Sequence, residues 1–277
     1  MGIKRVVWCS LFTLLVFFVA PASRADTIGG SGTAAFQGWI VRDLKNNGKP
    51  YWNNKSLDST NKKQQKASNV GFFLTGESTI PIPMDDGPDA PLPYWGKAGR
   101  SNKKTGGNAD LNFFFQREEL TNSAVLKLEV DPAANIDEFG WYNIADPSVL
   151  HPVFLGPESP TTDDTFTPSS QYGFYLKRGD QATFYTQSLL NPFKDTQHQH
   201  FAVFEESATP GAEVYWLGIE NRTRLELKGK EGGLGDYNDM LVRISAFSPP
   251  LPVPEPSTMV LVLSGTLLML GIRSRRR

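Results

Sequence analysis

The chain has one cysteine in 277 residues, Cys9. It lies inside an apolar amino-terminal run, so the body downstream has none and folds without disulfides. Net charge is scarce too: 28 Lys and Arg oppose 29 Asp and Glu, with both signs mixed along the chain. Nucleic-acid binding usually needs a basic face, so that class of partner is set aside. No long segment keeps a 3.6-residue hydrophobic period, which argues against a helical body. The Gly-x-Ser-x-Gly elbow, the His-Glu-x-x-His helix and the phosphate loop are missing, so no catalytic constellation is legible.

What is present is concentrated at the two ends. Lys4 and Arg5 precede an apolar run from Val6 to Ala20, followed by Pro21-Ala22-Ser23-Arg24-Ala25. A basic start, an apolar middle and small residues at the end predict a secretory signal peptide over residues 1–25, cut after Ala25 by signal peptidase.

At the other end Val253-Pro254-Glu255-Pro256-Ser257 leads into an apolar run from Thr258 to Ile272, closed by Arg273, Arg275, Arg276 and Arg277. Those fifteen residues, 258–272, make about 22 Å of helix against a hydrocarbon layer of about 30 Å. The span works only with local thinning or with the arginines snorkelling. Arginines on the cytoplasmic side put the body outside, the orientation the signal peptide also demands.

Residues 253–277 resemble the PEP-CTERM sorting signal of Gram-negative bacteria: a Pro-Glu-Pro triplet, one short span and a terminal arginine cluster, in that order. The resemblance implies an exosortase-type membrane protease that processes the tail near Val253-Pro254-Glu255-Pro256. It also implies a transient stay in the inner membrane before transfer to the cell surface or an exopolysaccharide matrix. It makes this chain a sorted substrate and gives it no catalytic residue.

Between the ends, residues 26–250 read as one all-β body, an antiparallel sandwich or jelly roll. Strand-like segments include Phe36 to Val41, Val70 to Thr75, Leu111 to Gln116, Ala124 to Val130, Phe139 to Ile144, Tyr172 to Lys177 and Ala182 to Gln187. Phe201 to Glu205, Val214 to Ile219, Leu225 to Leu227 and Met240 to Phe247 continue the series. Gly, Pro, Asn and Asp punctuate the intervals, the profile of short strands in two packed sheets. Asp26 to Gly38 reads as a partly ordered start. The lysine-rich stretch 42–69 reads as a solvated loop, with a phosphate- or glycan-binding patch as the sharper alternative. The proline-dense segment 80–95 reads as extended backbone outside any central strand, with Asp85, Asp86 and Asp89 in a turn that could also hold a cation.

The most specific internal feature joins Val214-Tyr215-Trp216-Leu217-Gly218-Ile219-Glu220-Asn221 to Asp236-Tyr237-Asn238-Asp239 and the strand that follows. Asp236, Asn238 and Asp239 bring three oxygen-bearing side chains together, and Glu220, Asn221 or backbone carbonyls could complete a Ca²⁺ shell of six to eight oxygens. In extended backbone Asp236 and Asn238 share one face and Asp239 takes the other. An Asx-turn capping the closing strand explains the same residues without a metal. An acidic strand end followed by an Asp-x-Asn-Asp-hydrophobic strand resembles a bacterial extracellular family, domain of unknown function 4114. The resemblance covers residues 110–247, and Phe139-Gly140-Trp141-Tyr142-Asn143 and Gly173-Phe174-Tyr175-Leu176 look like its earlier strands.

His198 and His200 would share a strand face, but a surface strand edge is the simpler reading. Glu205 and Glu206 would point opposite ways and make no hydrolytic pair. The sequence therefore predicts a non-catalytic exported protein, with calcium as the one candidate cofactor. The alternative is a carbohydrate-binding module using Tyr94, Trp95 and Trp216 as exposed platforms. A secreted hydrolase with carboxylates from distant strands has no positive signal.

Overall fold

The computed structural model describes residues 26–30, 35–40, 50–53, 69–75, 92–96, 112–117, 121–129, 137–156, 162–179, 182–192, 198–209, 212–221 and 235–247. In chain order the strands begin with β1 (Thr27–Gly30), β2 (Ala35–Gln37), β3 (Tyr94–Gly96), β4 (Phe113–Gln116) and β5 (Thr121–Glu129). They continue with β6 (Asp137–Asn143), β7 (Asp146–Leu155), β8 (Asp163–Phe166) and β9 (Gln171–Arg178). The last four are β10 (Ala182–Tyr185), β11 (Phe201–Thr209), β12 (Ala212–Ile219) and β13 (Met240–Phe247). Among the described residues one α-helix, α1 (Val70–Leu74), joins them, with a 3-10 turn at Ser188–Leu190. The body is all-β and antiparallel, as its strand spacing predicted.

Two sheets form. The first runs β1-β4-β9-β6-β7, with β10 taking the far half of the β9 edge that β4 begins. The second runs β2-β3-β11-β12-β13-β5-β8. Alternation turns Phe115, Tyr172, Phe174 and Phe139 of the first sheet toward Tyr215, Leu217, Ile219, Val242 and Ile244 of the second. The layers meet through Phe115 against Tyr215 at 5.4 Å and Phe166 against Phe174 at 5.9 Å between ring centres. Each such ring, fully buried, contributes about 1.5–3 kcal/mol of transfer free energy, which is how a body without disulfides holds together.

Several expectations change. Val70 to Thr75 is not a strand. Asn69 accepts hydrogen bonds from the amides of Gly71 (3.0 Å) and Phe72 (3.4 Å), capping a short helix. Val70, Phe73 and Leu74 then share one helical face and bury it on the outer side of the second sheet. Gly218 on β12 makes room for them, since a Cβ there would lie 2.6 Å from the Val70 side chain and 2.7 Å from the Tyr237 carbonyl. Within the segment expected to be partly ordered, Thr27–Gly30 is a strand on β4, and the strand expected from Phe36 begins at Ala35 and ends at Gln37. Proline-flanked Tyr94–Gly96 does enter a sheet, where Tyr94 pairs with Phe204. Asp146 and Pro147, just past the strand expected at Phe139 to Ile144, open β7.

Among the described residues β7 is the one long edge strand; the other edge strands, β1, β2, β8 and β10, have three or four residues. It carries exposed Val149 and Leu155 and is interrupted by Pro147 and Pro152, which offer no N–H to an incoming strand. No helix among the described residues is long and apolar enough to cross a membrane. The segments expected as a signal peptide (1–25), as a turn within 80–91, as a strand at Leu225 to Leu227 and as a sorting tail from Val253 to Arg277 lie outside the described residues.

Candidate functional site

Antiparallel pairing of β12 with β13 places Ile219 opposite Met240. The residues just beyond that pair, Glu220 and Asn221 on one side and Asp236 to Asp239 on the other, therefore meet at one end of the sandwich. Backbone bonds hold them there: Asp239 N–H donates to the Ile219 carbonyl (3.1 Å), and Glu220 N–H donates to that of His200 (2.9 Å). Val70 N–H donates to the Asp236 carbonyl at 2.7 Å, which fastens α1 to the same loop.

The loop is not extended. Tyr237 has φ of 53°, a left-handed conformation that side-chain-bearing residues rarely adopt. Asp236, Asn238 and Asp239 are all buried around it, where extended backbone would have sent Asp239 to the face opposite the other two. The Tyr237 ring anchors the turn. Its hydroxyl donates to the Gln199 carbonyl at 2.5 Å, and Tyr51 meets it edge-on at 5.5 Å.

Glu220, Asp236 and Asp239 are each no more than 3% exposed, and their carboxyl groups hydrogen-bond to one another through Glu220. Asp239 Oδ2 also accepts from Asn221 N–H at 2.8 Å, a link across the two segments. Asn221 Nδ2 in turn donates to Asp137 Oδ2 at 3.2 Å, bringing in a fourth buried acid from β6 of the other sheet. The sequence reading missed Asp137: it lies 83 positions before Glu220, and only the packing of the two sheets brings it close. Arg178 stands opposite Asp137 in the β6–β9 register.

Burial pushes the Glu220 carboxyl well above the usual carboxylate range, and the adjacent charges of Asp239 and then Asp236 push it further. Hydrogen bonds with the same two aspartates favour its protonated form as well. Burial likewise raises the Tyr237 phenol, with Tyr51, Glu220 and Asp236 adding to it. In this geometry the cluster is a proton store: Glu220 is the acid, and the aspartates accept from it.

The donor set is all oxygen, from four carboxyl groups and the amides of Asn221 and Asn238, the chemistry a hard cation such as Ca²⁺ takes. Among the described residues, however, no group of three or more His, Cys, Asp and Glu side chains is arranged to hold a metal ion. The acids face each other. A cation would have to replace the proton that now joins them and draw on the asparagine oxygens.

The remaining expectations resolve as follows. His198 and His200 are buried and do not lie on a surface edge; His200 stacks on Phe184 at 3.9 Å, with Nδ1 2.9 Å from the Glu220 carbonyl. Trp216 is 1% exposed and Tyr94 6%, so neither is a sugar platform. Tyr94 packs edge-on to Trp52, and the half-buried Trp95 meets Phe36 at 5.1 Å. Glu206 leaves the core to accept from Trp216 Nε1 (2.7 Å) and Arg243 Nε (3.2 Å). The chain matches no protein-family model, no curated protein and no solved structure.

Proposed function

We propose that this is a non-catalytic exported protein whose β-sandwich carries a calcium-responsive acidic end. The observation that carries the reading is the gathering of Glu220, Asp236, Asp239 and Asp137 in the interior, from three separated parts of the chain. Like charges this close in a low-dielectric interior cannot all ionise unless a cation joins them. In the compartment the signal peptide points to, that cation is Ca²⁺. Glu220, Asp236 and Asp239 supply carboxylate oxygens, and Asn238 and Asn221 supply amide oxygens. Calcium contributes charge neutralisation there; the residues contribute carboxylate and amide oxygens gathered in the interior and the exclusion of water.

The purified protein, stripped with chelator, should melt several degrees higher at neutral pH when millimolar Ca²⁺ is added, since a ligand at 100 times its Kd adds about 2.7 kcal/mol. Asp236→Asn should shrink that increment. An unchanged melting temperature in the parent protein would end the calcium reading.

Delivery is the second half of the proposal. The tail from Val253 to Arg277 acts as a temporary tether and address, cut by an exosortase-type protease on the outward side, with the cell surface or an exopolysaccharide matrix as destination. Its support is the order of triplet, short apolar run and arginines at residues 253–277. Replacing Pro254-Glu255-Pro256 by three alanines in a host that sorts such proteins should leave the chain in the membrane fraction at its unprocessed mass. Release at the parent mass would refute it.

A further inference from the structure

Val242 and Ile244 of β13 turn toward the first sheet, so Arg243 and Ser245 face outward from the second. β12 follows the same alternation: Tyr215 and Leu217 point in, and Trp216, opposite Arg243, points out. The Arg243 side chain is 28% exposed and is held in place. Its Nε donates to Glu206 Oε2 at 3.2 Å, and its guanidinium lies over the Trp216 ring, 5.9 Å from the centroid. Glu206 is itself fixed, because the same Oε2 accepts from Trp216 Nε1 at 2.7 Å. The two Nη groups of Arg243 make no hydrogen bond among the described residues. The hydroxyl of half-buried Ser245, two residues along the strand and roughly 7 Å away, makes none either.

We infer that the outward face of the second sheet holds a binding site for a sugar acid, whose carboxylate Arg243 receives end-on while Ser245 meets a hydroxyl of the same sugar. The site rests on neither the acidic end nor the tail. Asp239 and Arg243 are four residues apart on extended backbone, roughly 13 Å, and Arg243 points to the solvent side.

The chemistry selects the ligand. A guanidinium carries five N–H donors in one rigid plane, and Glu206 occupies the Nε edge. The end formed by the two Nη groups is left, and its parallel N–H bonds match the two oxygens of a planar carboxylate. Glu206 and Trp216 fix that plane in advance, so binding orders less side chain than a free surface arginine would require. The surrounding charge sets a limit. Glu206 lies against the guanidinium, and Asp163 stands two strands away in the cross-strand row of Asp163, Val125 and Arg243. One cation beside two acids suits a single negative charge and disfavours a dianion such as sulfate. An ion pair open to water is weak alone. The Ser245 hydroxyl, which both donates and accepts, supplies the second contact that a hydroxylated acid can use.

The test is saturation-transfer NMR on the full chain in a detergent without sugar headgroups, with galacturonate, galactose and acetate titrated in turn and sulfate added as a competitor. Galacturonate should bind saturably, acetate about tenfold more weakly, and galactose not at all; sulfate should fail to displace galacturonate. Arg243→Lys, which keeps the charge and loses the fork, should weaken galacturonate about tenfold. Ser245→Ala should weaken galacturonate several-fold and leave acetate unchanged, and this mild substitution carries the test alone if melting shows that Arg243→Lys does not fold. Unchanged galacturonate binding in either folded variant would overturn the site. Galactose binding as tightly as galacturonate would remove the carboxylate from recognition, and acetate doing so would remove the sugar. Displacement by sulfate at equal concentration would reduce Arg243 to a general anion contact; any of the three overturns the inference.

Discussion

At the scale of single residues, Glu220 controls how the molecule responds to pH. Its carboxyl is raised in the folded state, so the fold binds that proton more tightly than the unfolded chain, whose group titrates near 4.5. Its contribution to stability is therefore full below the unfolded value and is lost as pH rises through the raised folded one. Without calcium, the melting temperature should fall as pH rises above 5 more steeply in the parent protein than in Glu220→Gln, which carries no titrating proton there. Parallel curves would mean that Glu220 is not the proton store. Much of this residue-level picture was legible in the sequence. Glu220, Asn221, Asp236, Asn238 and Asp239 sit at strand ends that hydrophobic patterning locates. Asp137 was not legible, because nothing in its own neighbourhood marks it. The left-handed turn at Tyr237 was not either, because tyrosine carries no signal for positive φ.

At the scale of elements, the outer side of the first sheet shows how β6 and β9 fix their register. Gly140 faces Tyr175 and Tyr142 faces Gly173 across the same pair of strands. Each ring covers the partner's glycine: a Cβ on Gly173 would lie 2.4 Å from the Tyr142 ring, and one on Gly140 would lie 2.8 Å from that of Tyr175. The Gly140 position also closes on a backbone atom, the His151 carbonyl, which cannot swing aside as a ring can. Gly173→Ala should cost about 1–3 kcal/mol by overpacking, and Gly140→Ala should cost more; chemical denaturation of the two variants checks the order. A neutral Gly140→Ala would mean the β6–β7 contact is looser than described. The hairpin strands β11, β12 and β13 were legible because apolar runs of seven or so residues lie between turn signals. β7 and β3 were not, since prolines that read as strand breaks sit on an edge or flank a strand without entering a ladder's interior. α1 was misread because Val70, Phe72 and Phe73 favour strands on propensity, and one asparagine cap decided otherwise.

At the scale of the whole molecule, strand spacing and the missing helical period were enough to give the all-β class. The order of strands in the two sheets was not readable, because neighbours such as β4 and β9, or β5 and β13, are far apart in sequence and meet only through packing. That same long-range packing builds the acidic end, with β12, β13 and β6 each supplying part of it. Under the proposed function, calcium would displace the proton that joins the buried acids at this end. The most direct test of that idea counts protons. Calorimetric titration of chelator-stripped protein with CaCl₂ at pH 6, in two buffers of different ionisation enthalpy, gives the protons released per calcium bound. The account predicts saturable binding with net proton release, and release that is lost in Glu220→Gln. Binding without proton release, or no binding heat in either buffer, would contradict it.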